Sequence, residues 1–279
     1  MMGMTGRLTA IYRGMDQTAL DAGYNNTLAV SDSSALLQDF DERSATLRAA
    51  HGEHLDLRYG PAPRNRIDYF AADKPGPLLI FIHGGYWQMR AKETFSFLAA
   101  GPLAHGMHVA MIGYTLAPDA TLTEIVAEVR AAIAWLKNNA AEFGGDTECM
   151  IVSGWSAGGH LTAMSLDEPG VIGGVAISGI YDLEPVRLSY LNDKLRLSDE
   201  EETLLSPLHL PLSAKPLTIT YGTGELPELQ RQSEQYADAR RGLPGNLVPL
   251  SQLNHFTILN ELAAADGAIT REVCAIAGI

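Results

Sequence analysis

The feature that most constrains this chain is an apolar run, Cys149-Met150-Ile151-Val152, that passes through Ser153 straight into Gly154-Trp155-Ser156-Ala157-Gly158. Consecutive apolar residues without polar alternation suit a strand buried on both faces, and such strands belong to parallel sheets covered by helices on either side. The turn that follows must be sharp. Glycines two residues either side of Ser156 remove the side chains that would collide where a strand bends directly into a helix. Gly-x-Ser-x-Gly by itself is also an ordinary glycine-rich turn. Its position at the end of an apolar strand is what gives the serine a chemical reading.

The rest of the chain agrees with a covered parallel sheet. From about residue 61 onward, short apolar segments alternate with helical patterns. Strands are expected at 66–70, 78–83, 107–114, 149–153, 171–178, 217–221 and 247–250. A helix is expected over 121–141, opened by Thr121 and Glu124 at capping-box spacing, and a terminal helix runs through Val273. The acidic run 199–202 follows Ser198, and Ser198 with Glu201 reads as a second capping box on a solvated helix. Residues 1–60 are polar and mostly helical, with Leu36, Leu37, Phe40 and Leu47 at roughly helical spacing. The expected organisation is a helical N-terminal extension over 1–60, able to serve as a partial lid, and an α/β domain over 61–279. No repeat, low-complexity tract or separating linker interrupts it.

Composition removes several functions. A formal net charge of −13 opposes a nucleic-acid partner, which needs a basic footprint, and disfavours an anionic membrane surface. No apolar run approaches the roughly 18 residues of a membrane span, and Met1 to Asp16 lacks the apolar core of a secretory signal. Cys149 and Cys274 both sit in apolar surroundings and read as core residues rather than a disulfide framework. A cytoplasmic setting is expected. Composition does not separate a monomer from a homodimer.

Three further signals carry chemistry. His83-Gly84-Gly85-Tyr86-Trp87 follows an apolar strand, and glycines there let backbone amides approach a developing oxyanion without side-chain interference. Gly84, Gly85 and Ala157 are the expected oxyanion donors, with His83 propping the loop. Among histidines after Ser156, His160 lies one helical turn along the elbow helix and His209 precedes Pro211 in a connecting segment. His255 follows the last strand in Asn254-His255-Phe256, where a general base belongs. Glu225, released by Gly222-Thr223-Gly224 after a strand, is the expected acid, and Asp182 is its rival. No zinc-binding pattern, dinucleotide fingerprint or paired cysteine motif is present, so neither metal nor organic cofactor is expected.

Taken together, the motifs around His83, Ser156 through His160, Ser178-Gly179-Ile180-Tyr181-Asp182-Leu183 and Glu225 through Ser233 make the chain resemble the metal-independent kynurenine formamidase and carboxylesterase branch of the α/β-hydrolases over about residues 60–265. Tyr24-Asn25-Asn26 is weakly similar too. The acid of that branch is usually Asp; Glu225 keeps the carboxylate with one more methylene of reach. The resemblance implies an α/β-hydrolase fold and a Ser156–Glu225–His255 triad acting on small carboxylic esters or aryl formamides through an acyl-enzyme intermediate. An arylformamidase specific for N-formylkynurenine uses the same machinery, and an inactive hydrolase fold used for ligand sensing is the alternative from another class. Tyr86, Trp87, Trp155, Tyr181 and Phe256 flank the catalytic elements and are expected to line an aromatic pocket, covered by the N-terminal segment and about 183–207.

Overall fold

The computed structural model describes residues 9–279, so the first residues of the Met1 to Asp16 stretch read above lie outside the described residues. Eight strands form one sheet: β1 (His54–Arg58), β2 (Arg66–Phe70), β3 (Gly76–Ile82), β4 (His108–Ile112), β5 (Gly145–Trp155), β6 (Val171–Ile177), β7 (Leu217–Gly222) and β8 (Leu247–Leu250). Their order is β1-β2-β4-β3-β5-β6-β7-β8. The first two neighbour pairs are antiparallel, and every pair from β4–β3 to β7–β8 is parallel.

The central strands β3, β4 and β5 are buried along nearly their whole apolar stretches, as expected for strands covered on both faces. Side chains alternate across the sheet into two cores. Ile80, Ile82, Ile112 and Val152 face the helix Leu122–Asn139, while Leu79, Phe81, Met111 and Ile151 face the terminal helix Ala268–Ala277 and the segment Lys92–Ala99. Each such fully buried apolar side chain stabilises the fold by about 1.5–3 kcal/mol relative to exposure. Both anticipated capping boxes form: Thr121 Oγ1 accepts from the Glu124 amide at 3.2 Å, and Ser198 Oγ from the Glu201 amide at 3.1 Å.

The stretch expected to be mostly helical also holds a strand. Residues 54–58 form β1 and pair antiparallel with β2, so a break at residue 60 would cut a strand hairpin. The short edge strand His-Leu-Asp-Leu-Arg carries little apolar signal. It is fixed instead by charge. Asp68 on β2 is fully buried and accepts from the Asp56 amide at 2.9 Å, pairs with Lys92 at 2.8 Å and pairs with Arg48. Cys274 is buried as expected, whereas Cys149 is only partly so; burial raises both thiol pKa values.

Candidate active site

Five chain segments meet at the carboxyl rim of the sheet. β3 runs into His83-Gly84-Gly85, β5 into Ser156, β6 into Ser178, β7 into Gly222 and Glu225, and β8 into the loop that carries His255. The registers Ile82↔Gly154, Trp155↔Ile177, Ile177↔Thr220 and Gly222↔Leu250 bring these ends level.

Ser156 adopts φ 58° and ψ −118°, a conformation sparsely populated by L-residues that costs about 1–3 kcal/mol. The surroundings hold it there. Its amide donates to Ile177 O at 2.8 Å, and its carbonyl accepts from the Gly159 and His160 amides at 2.8 and 3.2 Å. A Cβ at Gly154 would strike the Gly158 carbonyl, and one at Gly158 would strike the Ile82 carbonyl. Both glycines are therefore steric requirements of a helix, Ala157–Met164, that starts against the end of β3.

The glycine loop lies against this elbow. A Cβ on Gly84 would sit 2.6 Å from Trp155 O and 3.0 Å from Ser156 Cβ. The amides of Gly84, Gly85 and Ala157 find no acceptor among the described residues; for Ala157 this follows from its place at the helix N-terminus. Free amide donors next to a serine, at Gly84 against it and Ala157 after it, are an arrangement that can bind a tetrahedral oxyanion. His83 is a prop. Its Nδ1 donates to Gly84 O at 2.8 Å, its ring stacks on Tyr114 at 4.3 Å and 10°, and burial lowers its pKa to about 4.

His255 Nδ1 donates to Glu225 Oε2 at 2.8 Å, which leaves Nε2 on the opposite edge of the ring. The second carboxylate oxygen, Oε1, accepts from Ser178 Oγ and from the Gly222 amide, each at 2.6 Å. Glu225 thus takes three donors, and its position is set from three sides. Trp155 fixes the base from beneath: its ring lies 4.7 Å from the imidazole, and its Nε1 donates to His255 O at 2.7 Å. Ser156, His255 and Glu225 are 2%, 3% and 6% exposed, so reacting groups here would be largely withdrawn from water.

The rival assignments separate by geometry. Asp182 accepts from Tyr12 OH at 3.0 Å and from the Glu184 amide, and it is not the carboxylate that holds His255. His160 donates through Nε2 to Leu205 O at 2.7 Å and packs edge-on to Trp87; burial lowers its pKa to about 4. His105 and His108 bind the backbone carbonyls of Ala265 and Lys74. Among the described residues no group of three or more His, Cys, Asp or Glu could hold a metal ion.

The aromatic residues expected beside the site are packed closely around it. Trp87 and Tyr181 are fully buried, and Trp155 and Phe256 nearly so. Tyr181 stacks on Tyr236 at 4.3 Å, and Phe256 packs behind Trp155. Large side chains beside strand ends seal the core more readily than they face solvent, because their burial is worth so much. Tyr86 lends its hydroxyl to the N-terminal segment instead, donating to Tyr24 O at 2.6 Å. Sequence reasoning also missed Ser178, Tyr24, Asn26 and Gln232. Ser178 stood immediately after β6, in a segment read only for Asp182, and its position was the available signal.

Comparison with known proteins places this geometry. The BD-FAE family model matches residues 69–167. The kynurenine formamidase of Salmo salar is 30% identical over 238 residues, which cover 78% of this chain and 79% of that protein. The chain belongs to the kynurenine formamidase family of α/β-hydrolases. Outside that family, an isoprenylcysteine α-carbonyl methylesterase of Arabidopsis thaliana is 34% identical over 113 residues, 39% of this chain and 26% of that protein. A solved structure from a Silicibacter species, described as a candidate thioesterase, superposes with a TM-score of 0.81 at 27% identity and covers 91% of this chain and 98% of that one. As a member of the kynurenine formamidase family the chain is a hydrolase, and its mostly parallel sheet is the α/β-hydrolase sheet. No described helix is long and apolar enough to cross a membrane.

Proposed function

We propose that the chain is a serine hydrolase that cleaves small carboxylic esters or aryl formamides through an acyl-enzyme intermediate. The observation that carries this reading is the Glu225–His255 pair, joined at Nδ1 and packed on Trp155, the residue before a serine in strained backbone geometry. His255 Nε2 takes the proton of Ser156 as its oxygen attacks the substrate carbonyl, and Glu225 stabilises the imidazolium. The amides of Gly84, Gly85 and Ala157 bind the oxyanion, worth about 10²–10³ in rate per donor. Collapse of the tetrahedral intermediate expels the alcohol or arylamine, which takes the proton from His255. Water activated by the same base then releases the carboxylic acid, formic acid in the formamide case.

A second reading, an arylformamidase specific for N-formylkynurenine, is favoured by one observation: the relatives that span most of this chain are named kynurenine formamidases. Parallel turnover of N-formylkynurenine and a short-chain phenyl ester decides between them. A kcat/KM for N-formylkynurenine about 10²-fold or more above the ester establishes the specific reading; comparable values establish the broad one. The near-complete burial of the site supports a small-molecule substrate. The two unpaired thiols support a reducing, cytoplasmic setting.

A further inference from the structure

The loop that carries two of the proposed oxyanion donors is strained along its length. Gly85, Tyr86 and Trp87 have φ of 109°, 49° and 58°, three left-handed residues in succession, two of them with bulky side chains. Such a run persists only where its surroundings over-determine it. Trp87 is fixed by burial and by Ala117, whose amide donates to its carbonyl at 2.8 Å. Gln88 reaches across to Leu191 O at 2.9 Å. Tyr86, the residue next to Gly85, is gripped from the other end of the chain. Its hydroxyl donates to Tyr24 O at 2.6 Å and accepts from Asn26 Nδ2 at 2.9 Å.

Asn26 makes little sense as a structural side chain alone. It is 5% exposed, and its Oδ1 is buried with no hydrogen-bond partner among the described residues. A buried amide with one end unsatisfied is unfavourable unless the other end is needed. Among the described residues the only side-chain bond it makes is the one to Tyr86. Tyr24 is in turn anchored, fully buried, by Gln232 Nε2 at 3.0 Å, and Gln232 Oε1 also takes the Tyr181 and Asp182 amides at 2.6 and 2.8 Å. The clamp on the loop therefore continues into the helix Pro227–Ala239, which begins two residues after Glu225.

We propose that Asn26 and Tyr86 are positioning residues that latch the N-terminal segment onto the oxyanion loop and hold the Gly84 and Gly85 amides in register with Ser156. The inference rests on the serine-hydrolase reading above. A latch of this kind acts on the transition state, through the amides it holds in place. Loosening it displaces donors rather than deleting them, and a misplacement of about 1 Å costs up to about 10²-fold in rate.

The test uses the full chain, with phenyl acetate as substrate and phenylboronic acid as a probe that becomes tetrahedral on a serine. Tyr86→Phe, which keeps the ring, and Asn26→Ala are each expected to lower kcat about 10- to 100-fold with KM within about twofold. Boronate affinity is expected to fall by the same factor. The double variant is expected to be no worse than the poorer single variant, since both break one latch. If Asn26→Ala folds poorly, Tyr86→Phe decides alone. A kcat within about threefold of the parent, or a loss confined to KM with boronate affinity intact, overturns the latch. Ser156→Ala separates the two claims: if it keeps parental turnover, the serine-hydrolase reading has failed, whereas an inactive Ser156→Ala beside an unimpaired Tyr86→Phe removes the latch alone.

Discussion

The carboxyl rim of the sheet and the N-terminal segment before residue 60 converge on the same site, but they are built in opposite ways. At the rim, each group of the proposed triad and oxyanion site follows a strand by one to five residues, and local glycine chemistry sets its backbone. The N-terminal segment contributes no strand end. It reaches the site through long-range polar contacts: Tyr12 to Asp182, Asp21 to the Tyr190 amide, Tyr24 and Asn26 to Tyr86. A scaffold made of parallel strands fixes where reacting atoms lie. A polar strap fixes how rigidly they stay there.

The contrast can be broken in several ways. The largest effect is expected at the rim: Ser156→Ala should lower kcat by about 10⁴-fold or more while leaving thermal unfolding near the parent, because the site is a strained position rather than a stabilising one. Steady-state kinetics and calorimetry check this together. Next, Glu225→Gln should cost about 10³- to 10⁴-fold, since an amide can no longer hold the Nδ1–H tautomer and stabilise the imidazolium. Away from the rim the ordering should invert. Asp68→Ala takes a buried carboxylate from Lys92, which keeps Asp56 and Glu93, and from the half-buried Arg48, and should cost about 1.5–3 kcal/mol in denaturant unfolding, with turnover per folded molecule close to the parent.

Acid should act on stability in a defined window. His83 and His160 are held neutral by burial, with pKa values near 4 against an ordinary 6.5. Between those values the unfolded chain binds protons that the folded chain excludes. The stability from these two residues is therefore complete above pH 6.5 and lost as pH falls toward 4, by up to about 3 kcal/mol per histidine. Denaturant unfolding at pH 7 and pH 4.5 measures it, and His160→Asn should show a shallower fall. The smallest effect sharpens the comparison most. Ser178→Ala removes one of three donors to Glu225 and should lower kcat about 10-fold with KM unchanged, smaller than the loss at Glu225 itself.

Legibility in the sequence follows the same division. The elbow, the glycine loop and the position of His255 were readable because each combines a strand signal with a steric demand that few residues meet. Even the carboxylate that meets His255 was readable, once the turn Gly222-Thr223-Gly224 pointed past β7. β1 was not, because Asp68, Lys92 and Arg48 are separated along the chain and only their meeting makes an edge strand of 54–58. The same limit explains Tyr86. Its place beside Gly85 suggested a substrate contact, while the hydroxyl's true partners lie about sixty residues away. Aromatic residues near strand ends carry no sequence mark that tells how deeply they pack, and Trp87, Tyr181 and Phe256 are almost wholly buried.

The central claim is that Ser156 is an activated nucleophile, and covalent labelling by a fluorophosphonate with peptide mapping tests it most directly. Stoichiometric modification at Ser156, slowed by about 10³-fold or more in His255→Ala, is the result expected. Folded protein that resists the reagent, or that reacts at Ser156 equally fast without the imidazole, would contradict it.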